Sequence, residues 1–344
     1  MTQITLGSCE PRTLLSHMAL YGLAAILESE GTRDVQLSWT PSGNPRPVVS
    51  VPGMDDIGVA TLVGQHARSR KSKGSWIQQN LPIDAKSRGL MSPRLSQFDG
   101  PGAWAQVQNS RHAVLNGLTA ERRWLDLRFL AALGEPCYWS RDKNDKISQD
   151  DGASRLEMQP RNTGAEFVGS RLRKLVTAVA ARSPEQILAG LRGQCVEDES
   201  EGNKADSFTA TGLAALGPTD NALAWCALWG ISQFPIAMRA NAVADTTGHV
   251  SGRRREWFYV PMWQRPWRPA RVRTVLSSRF LRVFATTGLE LNQFTEADVA
   301  ASRTWLAARD VDGVMRFPVH NFGTGKASQR RAMRGEPLPV RSSA

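Results

Sequence analysis

Two segments of the chain carry residue types that bind nucleic acid. In the first, four cations, a tryptophan and three amides stand close together: Arg68, Arg70, Lys71, Lys73, Trp76, Gln78, Gln79 and Asn80. Cations neutralise phosphates, an indole stacks on a base, and amides pair with base edges. The stretch at 92–102 is rich in turn residues and adds Arg94, so we predict surface loops in both places. A solvated loop without a ligand is the alternative.

The second segment lies near the end of the chain. Its polar and cationic side chains are Arg316, His320, Asn321, Lys326, Arg330, Arg331 and Arg334, with Phe317 and Phe322 between them. Arg253, Arg254 and Arg255 precede an aromatic run at 257–263, and we expect Trp257, Trp263 and Trp267 to pack in the core and in turns. Dense cations beside aromatic rings indicate phosphate binding. A basic tail with no defined role is the alternative.

Residues for catalysis or metal binding form no convincing set. The five histidines are far apart along the chain, and the segment GTGKAS at 323–328 lacks the glycine spacing of a phosphate loop. Asp84 with Lys86 has no acidic partner on a preceding strand, and an exposed turn explains the pair Asp55 and Asp56. We therefore predict no catalytic residue, no metal ligand and no cofactor.

The charge balance indicates a polyanionic partner. The chain has 344 residues, with 43 Lys and Arg against 32 Asp and Glu, which gives a formal net charge of +11 at pH 7. Residues 239–344 hold 18 of these cations and 8 of these acids, so nearly all of the excess lies in the last third. Arginine dominates the cations, and its planar fork binds phosphate bidentately, although a high-GC genome also enriches arginine. Nucleic acid is the leading candidate.

Hydrophobic periodicity predicts an α+β fold. Helical spacing of apolar residues occurs at 12–29, 119–133, 166–182, 184–191, 222–230, 270–286 and 295–308. Strand patterns occur at 35–39, 48–51, 257–263 and 313–319. We predict an N-terminal mixed α/β module at 1–140 with the basic loop, a helical middle region at 141–238 with flexible charged loops, and a mainly helical, basic C-terminal region at 239–344.

The cysteines and the first residues predict a cytoplasmic protein. Cys9, Cys137, Cys195 and Cys226 lie far apart, in or beside apolar segments and without CxxC spacing, which is typical of reduced thiols. The beginning of the chain, MTQITLGSCEPRTLL, lacks the charged and apolar regions of a signal peptide. No segment has the uncharged apolar length that spans a bilayer, so we expect no membrane partner.

Short motifs in a definite order resemble a known family. They are LGSCEP at 6–11, LYGL at 20–23, YVPMWQRP at 259–266, and GVMRF at 313–317 followed by GKA at 325–327. In these segments the chain resembles the large subunit of type I-U/I-G CRISPR surveillance (Cascade) complexes, as a compact version. The resemblance implies a non-catalytic subunit that contacts the guide RNA near its 5′ end and recognises the protospacer-adjacent motif on double-stranded target DNA. It further implies contact with the displaced single strand, other CRISPR effector subunits as partners, and recruitment of a helicase-nuclease.

Two other classes stay open. A metal-dependent nuclease or guide-RNA-processing endonuclease would also be basic, and clustered carboxylates or a histidine with a basic partner would distinguish it. An adaptor that binds acidic protein surfaces would show no steep salt dependence of nucleic-acid binding.

Overall fold

The computed structural model describes residues 2–83, 88–95, 101–141, 144–145, 149–158, 166–207, 209, 211–214, 217–240, 242–252, 255–290, 294–322 and 329–341. The α-helices are α1 (Leu14–Ser29), α2 (Asp56–Lys71), α3 (Pro101–Ala120), α4 (Trp124–Leu133), α5 (Arg173–Ala181), α6 (Pro184–Arg192), α7 (Asn221–Trp229), α8 (Pro269–Leu276), α9 (Arg279–Ala285) and α10 (Glu296–Ala307). The strands are β1 (Thr2–Thr5), β2 (Gln36–Trp39), β3 (Pro47–Val51), β4 (Ile236–Ala237), β5 (Asp245–Thr246), β6 (His249–Ser251), β7 (Glu256–Met262), β8 (Gly313–Phe322), β9 (Gln329–Ala332) and β10 (Glu336–Pro339). The α+β fold class is thereby confirmed. Within these residues, no helix is long and apolar enough to cross a membrane.

The first three strands form an antiparallel sheet with β3 in the middle. Val49 of β3 lies opposite Ile4 of β1 on one side and opposite Leu37 of β2 on the other. The predicted helix at 12–29 and the predicted strands at 35–39 and 48–51 are found within two residues of their expected bounds. Every residue of α1 from 14 to 27 is buried, because the helix packs against β3, α2 and α7.

Two glycines let α1 and α7 approach closely. A Cβ atom on Gly22 would lie 1.8 Å from the carbonyl oxygen of Cys226, and one on Gly230 would lie 2.2 Å from that of Met18. These are backbone atoms in two packed helical segments, so no side-chain rotation relieves such a clash. The contact between α1 and the end of α7 therefore requires glycine on both sides.

Gly22→Ala is expected to lower the free energy of unfolding by about 2–3 kcal/mol, because the added methyl group must push the two helices apart. Gly117→Ala in α3 is the matched control, since a Cβ there meets no atom within 4 Å. That control should be neutral or stabilise by about 0.5–1 kcal/mol, as alanine favours helix over glycine. Urea denaturation of the two variants measures the difference, and equal stabilities would contradict the packing.

Helix α2 occupies a region where the sequence predicts a surface loop. Its buried positions include Val59, Val63, Ala67 and Arg70, spaced by three or four residues so that one helical face points inward. Polar His66 shares this buried face. The loop prediction for this stretch is wrong, because a histidine and an arginine occupy positions where helical periodicity is expected to place apolar residues.

The last third of the chain contains a sheet as well as helices. β7 and β8 are paired from Glu256 opposite Val319 to Met262 opposite Gly313. β6 flanks β7, β10 flanks β8, and β9 pairs with the far end of β8. This region contains strands as well as helices and is not mainly helical, because its aromatic segments form the long paired strands β7 and β8. The predicted helix at 270–286 is two helices, since Ser278 caps a new helix start with a hydrogen bond from Leu281 N.

Aromatic packing connects the N-terminal sheet to the C-terminal residues. Trp263 and Trp267 stack with ring centroids 4.4 Å apart, and Trp263 Nε1 donates to the Leu37 carbonyl at 2.9 Å. The core position predicted for Trp263, Trp267 and Trp257 is confirmed, since all three are buried. One cluster of buried side chains includes residues from all three regions predicted from the sequence, and the division into those regions stays a prediction.

Candidate nucleic-acid interface

Arg70 and Trp76, both expected to contact nucleic acid, lie inside the fold. The Arg70 side chain is 3% exposed, and its guanidinium pairs with Asp126 at 2.7 Å and with Glu30 at 3.1 Å. Trp76 Nε1 donates to Asp126 Oδ1 at 2.7 Å. This corrects the expected exposure of both residues, because the carboxylates hold these groups where a phosphate or base does not reach.

The other three cations of the first segment are exposed near the end of α2. Arg68 and Lys71 lie in its last turn, and Lys73 follows in the turn after it. Over the described ranges, none of the three pairs with a carboxylate. Cations at this end of a helix offset the helix dipole, so a role in stabilising α2 accounts for part of their placement.

The three amides of this segment are partly used within the protein. Asn80 Oδ1 accepts from Arg173 Nη1 at 2.8 Å, and Arg173 Nη2 also donates to the Gln79 carbonyl at 3.3 Å. Gln78 Nε2 donates to the Arg70 carbonyl at 3.3 Å. These contacts attach the segment to α5 and to the end of α2, and only Asn80 of the three is exposed.

Arginines from distant parts of the chain meet around two glutamates. Arg94 Nε lies 2.6 Å from Glu157 Oε2, and Arg155 Nη2 lies 2.7 Å from Glu256 Oε1. Arg330 contacts the second oxygen of Glu256, and its Nη1 donates to the Arg155 carbonyl at 3.2 Å. We call these three arginines and two glutamates the arginine cluster.

The sheet of the last third positions one side of the arginine cluster. Arg330 lies in β9 and Glu256 begins β7, with β8 between the two strands. The segment 88–95, which holds Arg94, is anchored by Arg111, whose Nη1 donates to a backbone carbonyl of that segment at 2.8 Å. The cluster therefore joins residues from the N-terminal, middle and C-terminal parts of the chain.

Burial sets the protonation of Glu157. It raises the pKa of this carboxyl from 4.5 to about 7, although the charges of Arg94, Arg171 and Arg330 act in the opposite direction. Burial also lowers the pKa of Arg330 to about 10, and the charge of Arg155 adds to that decrease. Arg330 is still fully protonated at neutral pH, whereas Glu157 is about half protonated there.

Glu256 is ionised under all ordinary conditions. Its partial burial opposes ionisation, yet contact with His249 and the charges of Arg330 and Arg155 hold its pKa well below the usual range. His249 Nε2 lies 3.4 Å from Glu256 Oε2, and burial lowers the pKa of this imidazole. The histidine is therefore mainly neutral at pH 7, and the arginines supply the positive charge of the cluster.

A comparison within the protein shows that the arginine cluster has surplus positive charge. Arg182, a buried arginine elsewhere, pairs with more than one carboxylate: Glu199 at 2.6 Å, Asp220 at 2.9 Å and Glu197 at 3.8 Å. Arg70 likewise has two carboxylate partners. In the arginine cluster the ratio is reversed, because three arginines share two carboxylates and Glu157 is half neutral. A site of this kind attracts a polyanion.

The arginine cluster is partly accessible from solvent. The side chains of Arg94, Arg155 and Arg330 are 14, 20 and 11% exposed. Asn321 is exposed and lies directly opposite Arg330 in the β8–β9 pair, so both side chains stand on one face of the sheet. Arg255, also exposed, directly precedes Glu256. Two residues expected from the sequence thus flank the cluster.

Other predicted C-terminal contacts are used inside the protein. Arg316 Nη1 donates to the Thr287 carbonyl at 2.8 Å, and its guanidinium lies over the Trp257 ring, 5.7 Å from the ring centroid. Arg331 is buried, and its Nη2 donates to Gln329 Oε1 at 2.8 Å. These contacts correct the expectation that both arginines are exposed. The expected contacts Arg253, Arg254 and Lys326 lie outside the described residues.

The weak metal candidates have structural roles where the structure describes them. Asp55 caps α2 by accepting from Gly58 N at 2.8 Å, and Asp56 pairs with Arg192. Asp84 and Lys86 lie outside the described ranges. Within those ranges, no three His, Cys, Asp or Glu side chains group as metal ligands, and the four cysteines are free.

Sequence reasoning missed three members of the site, Arg155, Glu157 and Glu256, together with His249. Arg155 and Glu157 fall in a polar stretch at 140–162 that has the composition of a mobile loop. The local signal that was available is the charge alternation of these two residues, and it does not identify their partners.

Neither the models of protein families nor the curated proteins contain a match to this chain.

Proposed function

We propose that this chain is a non-catalytic nucleic-acid-binding subunit of an RNA-guided CRISPR effector complex. The arginine cluster carries the proposal, because Arg94, Arg155 and Arg330 converge with fewer carboxylates than guanidiniums at a partly accessible site. Guanidiniums bind phosphates bidentately and release the counterions condensed on a nucleic-acid strand. The proposed partners are guide RNA, double-stranded target DNA with its displaced strand, other effector subunits and a helicase-nuclease.

The sheet face around the arginine cluster is the proposed contact surface. Arg330 and Asn321 lie side by side on it, and Arg255 is an exposed cation directly before the start of β7. The guanidiniums bind the backbone of a strand, and the Asn321 amide reaches a base edge or a sugar. Contacts to the nucleic-acid backbone do not depend on the base sequence. This suits an RNA-guided complex, in which pairing with the guide supplies the sequence specificity.

The RNA-guided part of the proposal is supported by the placement of the resembling motifs. The segments at 259–266 and 313–317 pair as β7 and β8, with Tyr259 opposite Arg316. Residues of the segment at 6–11 line the same cavity as Met262 and Gly313. Motifs that are distant along the chain therefore adjoin in the fold.

We place the protein in the cytoplasm, in agreement with its four free cysteines.

Fluorescence anisotropy with labelled single-stranded and double-stranded oligonucleotides tests the proposal. The purified chain should bind both, with affinity that falls steeply between 50 and 200 mM salt, by about 10³-fold for roughly six phosphate contacts. It should leave the oligonucleotides intact when Mg²⁺ or Mn²⁺ is added. A weak, salt-independent interaction would favour the adaptor alternative, and metal-dependent cleavage would favour a nuclease.

Nucleic-acid affinity is expected to rise as the pH falls from 8 to 6. Glu157, with a pKa of about 7, takes up a proton over this range and leaves Arg94 without an opposing charge. The expected gain is about tenfold, which is the limit between pH 8 and 6 for one carboxyl that has a pKa of about 7 in the free protein. Glu157→Gln should bind at pH 8 as tightly as the unaltered protein does at pH 6 and should show a flatter profile. A pH dependence that Glu157→Gln leaves unchanged would contradict this role.

A further inference from the structure

A cavity of about 660 Å³ lies at the end of the C-terminal sheet that is remote from Glu256. Met262 of β7, Met315 of β8 and Pro337 of β10 share one face of the sheet and contribute apolar side chains to its lining. The turn between β2 and β3 contributes Gly43 and Asn44. A volume of this size accommodates a ligand as large as one nucleotide.

Two unpaired arginines stand at this cavity. Arg12 and Arg334 both line it and both are exposed. Gly335 N donates to the Arg12 carbonyl at 2.8 Å, which holds the two arginine-bearing segments side by side. Neither guanidinium pairs with a carboxylate anywhere in the part of the chain that the structure describes. Most other described arginines of the last third have carboxylate partners, unlike Arg334. Arg12 and Arg334 are therefore available for an external anion.

Acceptors complete the polar lining. Asp312 lines the cavity while Arg341 holds one of its oxygens at 3.3 Å, and Glu10 also lines the cavity. Carboxylates accept hydrogen bonds from sugar hydroxyls and from base amino groups. The lining thus combines cations for a phosphate, acceptors for a sugar or base, and apolar side chains for the face of a ring.

We propose that this cavity binds one unpaired nucleotide of a nucleic-acid strand, with its phosphate on Arg12 and Arg334 and its base against Met262, Met315 and Pro337. The proposal rests on the proposed nucleic-acid binding and adds a second contact, separate from the arginine cluster. The arginine cluster binds backbone, whereas the cavity holds a nucleotide turned out of a stack. Three of the motif segments that resemble the CRISPR family contribute to its lining, at 6–11, 259–266 and 313–317.

Gly43→Leu tests the cavity without changing charge. Gly43 lines the cavity, and a Cβ there meets no atom within 4 Å, so a leucine side chain is tolerated and is expected to narrow the cavity. Gly117→Leu is the matched control, because that position is equally open and lies on α3. Affinity for a single-stranded 12-nucleotide RNA should fall about tenfold in Gly43→Leu and in the double variant Arg12→Gln/Arg334→Gln, the effect of one base contact. Gly117→Leu should bind as the unaltered protein does.

Cross-linking with the same RNA carrying 4-thiouridine locates the contact. The cross-link should map to the peptides that hold Met315 or Pro337 and should disappear in Gly43→Leu. If Gly43→Leu and the arginine pair variant bind and cross-link like the unaltered protein, the cavity proposal is wrong while the proposed function stands. If the unaltered protein binds no oligonucleotide, both fail. Uridine monophosphate that binds as tightly as the RNA would identify a free nucleotide as the ligand and overturn the assignment to a strand.

Discussion

Arg94→Gln/Arg330→Gln will lower the affinity for single-stranded and double-stranded oligonucleotides by about 10- to 100-fold at low salt and reduce the salt slope by about 2, because two phosphate contacts are removed. The fold should tolerate the change. Glu157, left without Arg94, is neutralised by protonation near pH 7, and Glu256 keeps Arg155 at 2.7 Å. Fluorescence anisotropy between 50 and 300 mM salt measures both quantities, and thermal denaturation checks that the variant is folded.

Arg265→Gln/Arg268→Gln is the control with the same change in net charge. These side chains are 77 and 70% exposed and pair with Asp310 and Asp34. They follow the end of β7, and Glu256 of the arginine cluster begins that strand, about 20 Å away at the usual rise per residue. The control should weaken binding by less than about threefold, as expected for general charge. Equal losses in the two double variants would mean that net charge, and not the arginine cluster, attracts the strand.

Arg70→Met will lower the free energy of unfolding by about 3–5 kcal/mol, the usual result of removing one partner of a buried ion pair. Asp126 is 1% exposed, and among the described residues it would keep Trp76 Nε1 at 2.7 Å and Arg123 at 3.3 Å as its partners. Glu30 would lose its 3.1 Å contact. Chemical denaturation followed by tryptophan fluorescence and circular dichroism measures the loss.

The matched comparison for Arg70 is the triple variant Arg68→Gln/Lys71→Gln/Lys73→Gln, which removes three exposed cations from the same part of the chain. Its stability should change by less than about 1 kcal/mol, since exposed charges contribute little. A lower affinity in the triple variant would assign these cations to the interface. If Arg70→Met were as stable as the triple variant, the buried network would not hold α2 in place.

The sequence predicts the elements whose patterns are uninterrupted. α1 has a continuous apolar face, and α10 begins at a Thr295 cap that is recognisable from the residues alone. α2 escapes prediction because His66 and Arg70 face inward. Their partners, Trp225 for the histidine and Asp126 for the arginine, lie 159 and 56 positions away along the chain. Polar residues on a buried face are explained only when those distant partners are known.

The candidate site is predictable in its residue types and not in its arrangement. Arg70 and Arg94 are equivalent cations in polar stretches of the sequence, yet Arg70 has two carboxylate partners inside the fold and Arg94 shares one buried glutamate. Arg155 and Glu256 meet across 101 positions of the chain. Composition identifies which side chains bind phosphate, and the chain topology decides which carboxylates neutralise them. Local pattern carries no information on that pairing.

Purification of the tagged chain together with its natural partners, followed by extraction and sizing of the bound nucleic acid, tests the central claim most directly. We predict one discrete RNA of guide length that copurifies with several other proteins and is released by high salt. The Arg94→Gln/Arg330→Gln variant should retain less of it. A lone chain without RNA, or one that cleaves nucleic acid when a divalent metal is added, would contradict the proposal of a non-catalytic subunit in an RNA-guided complex.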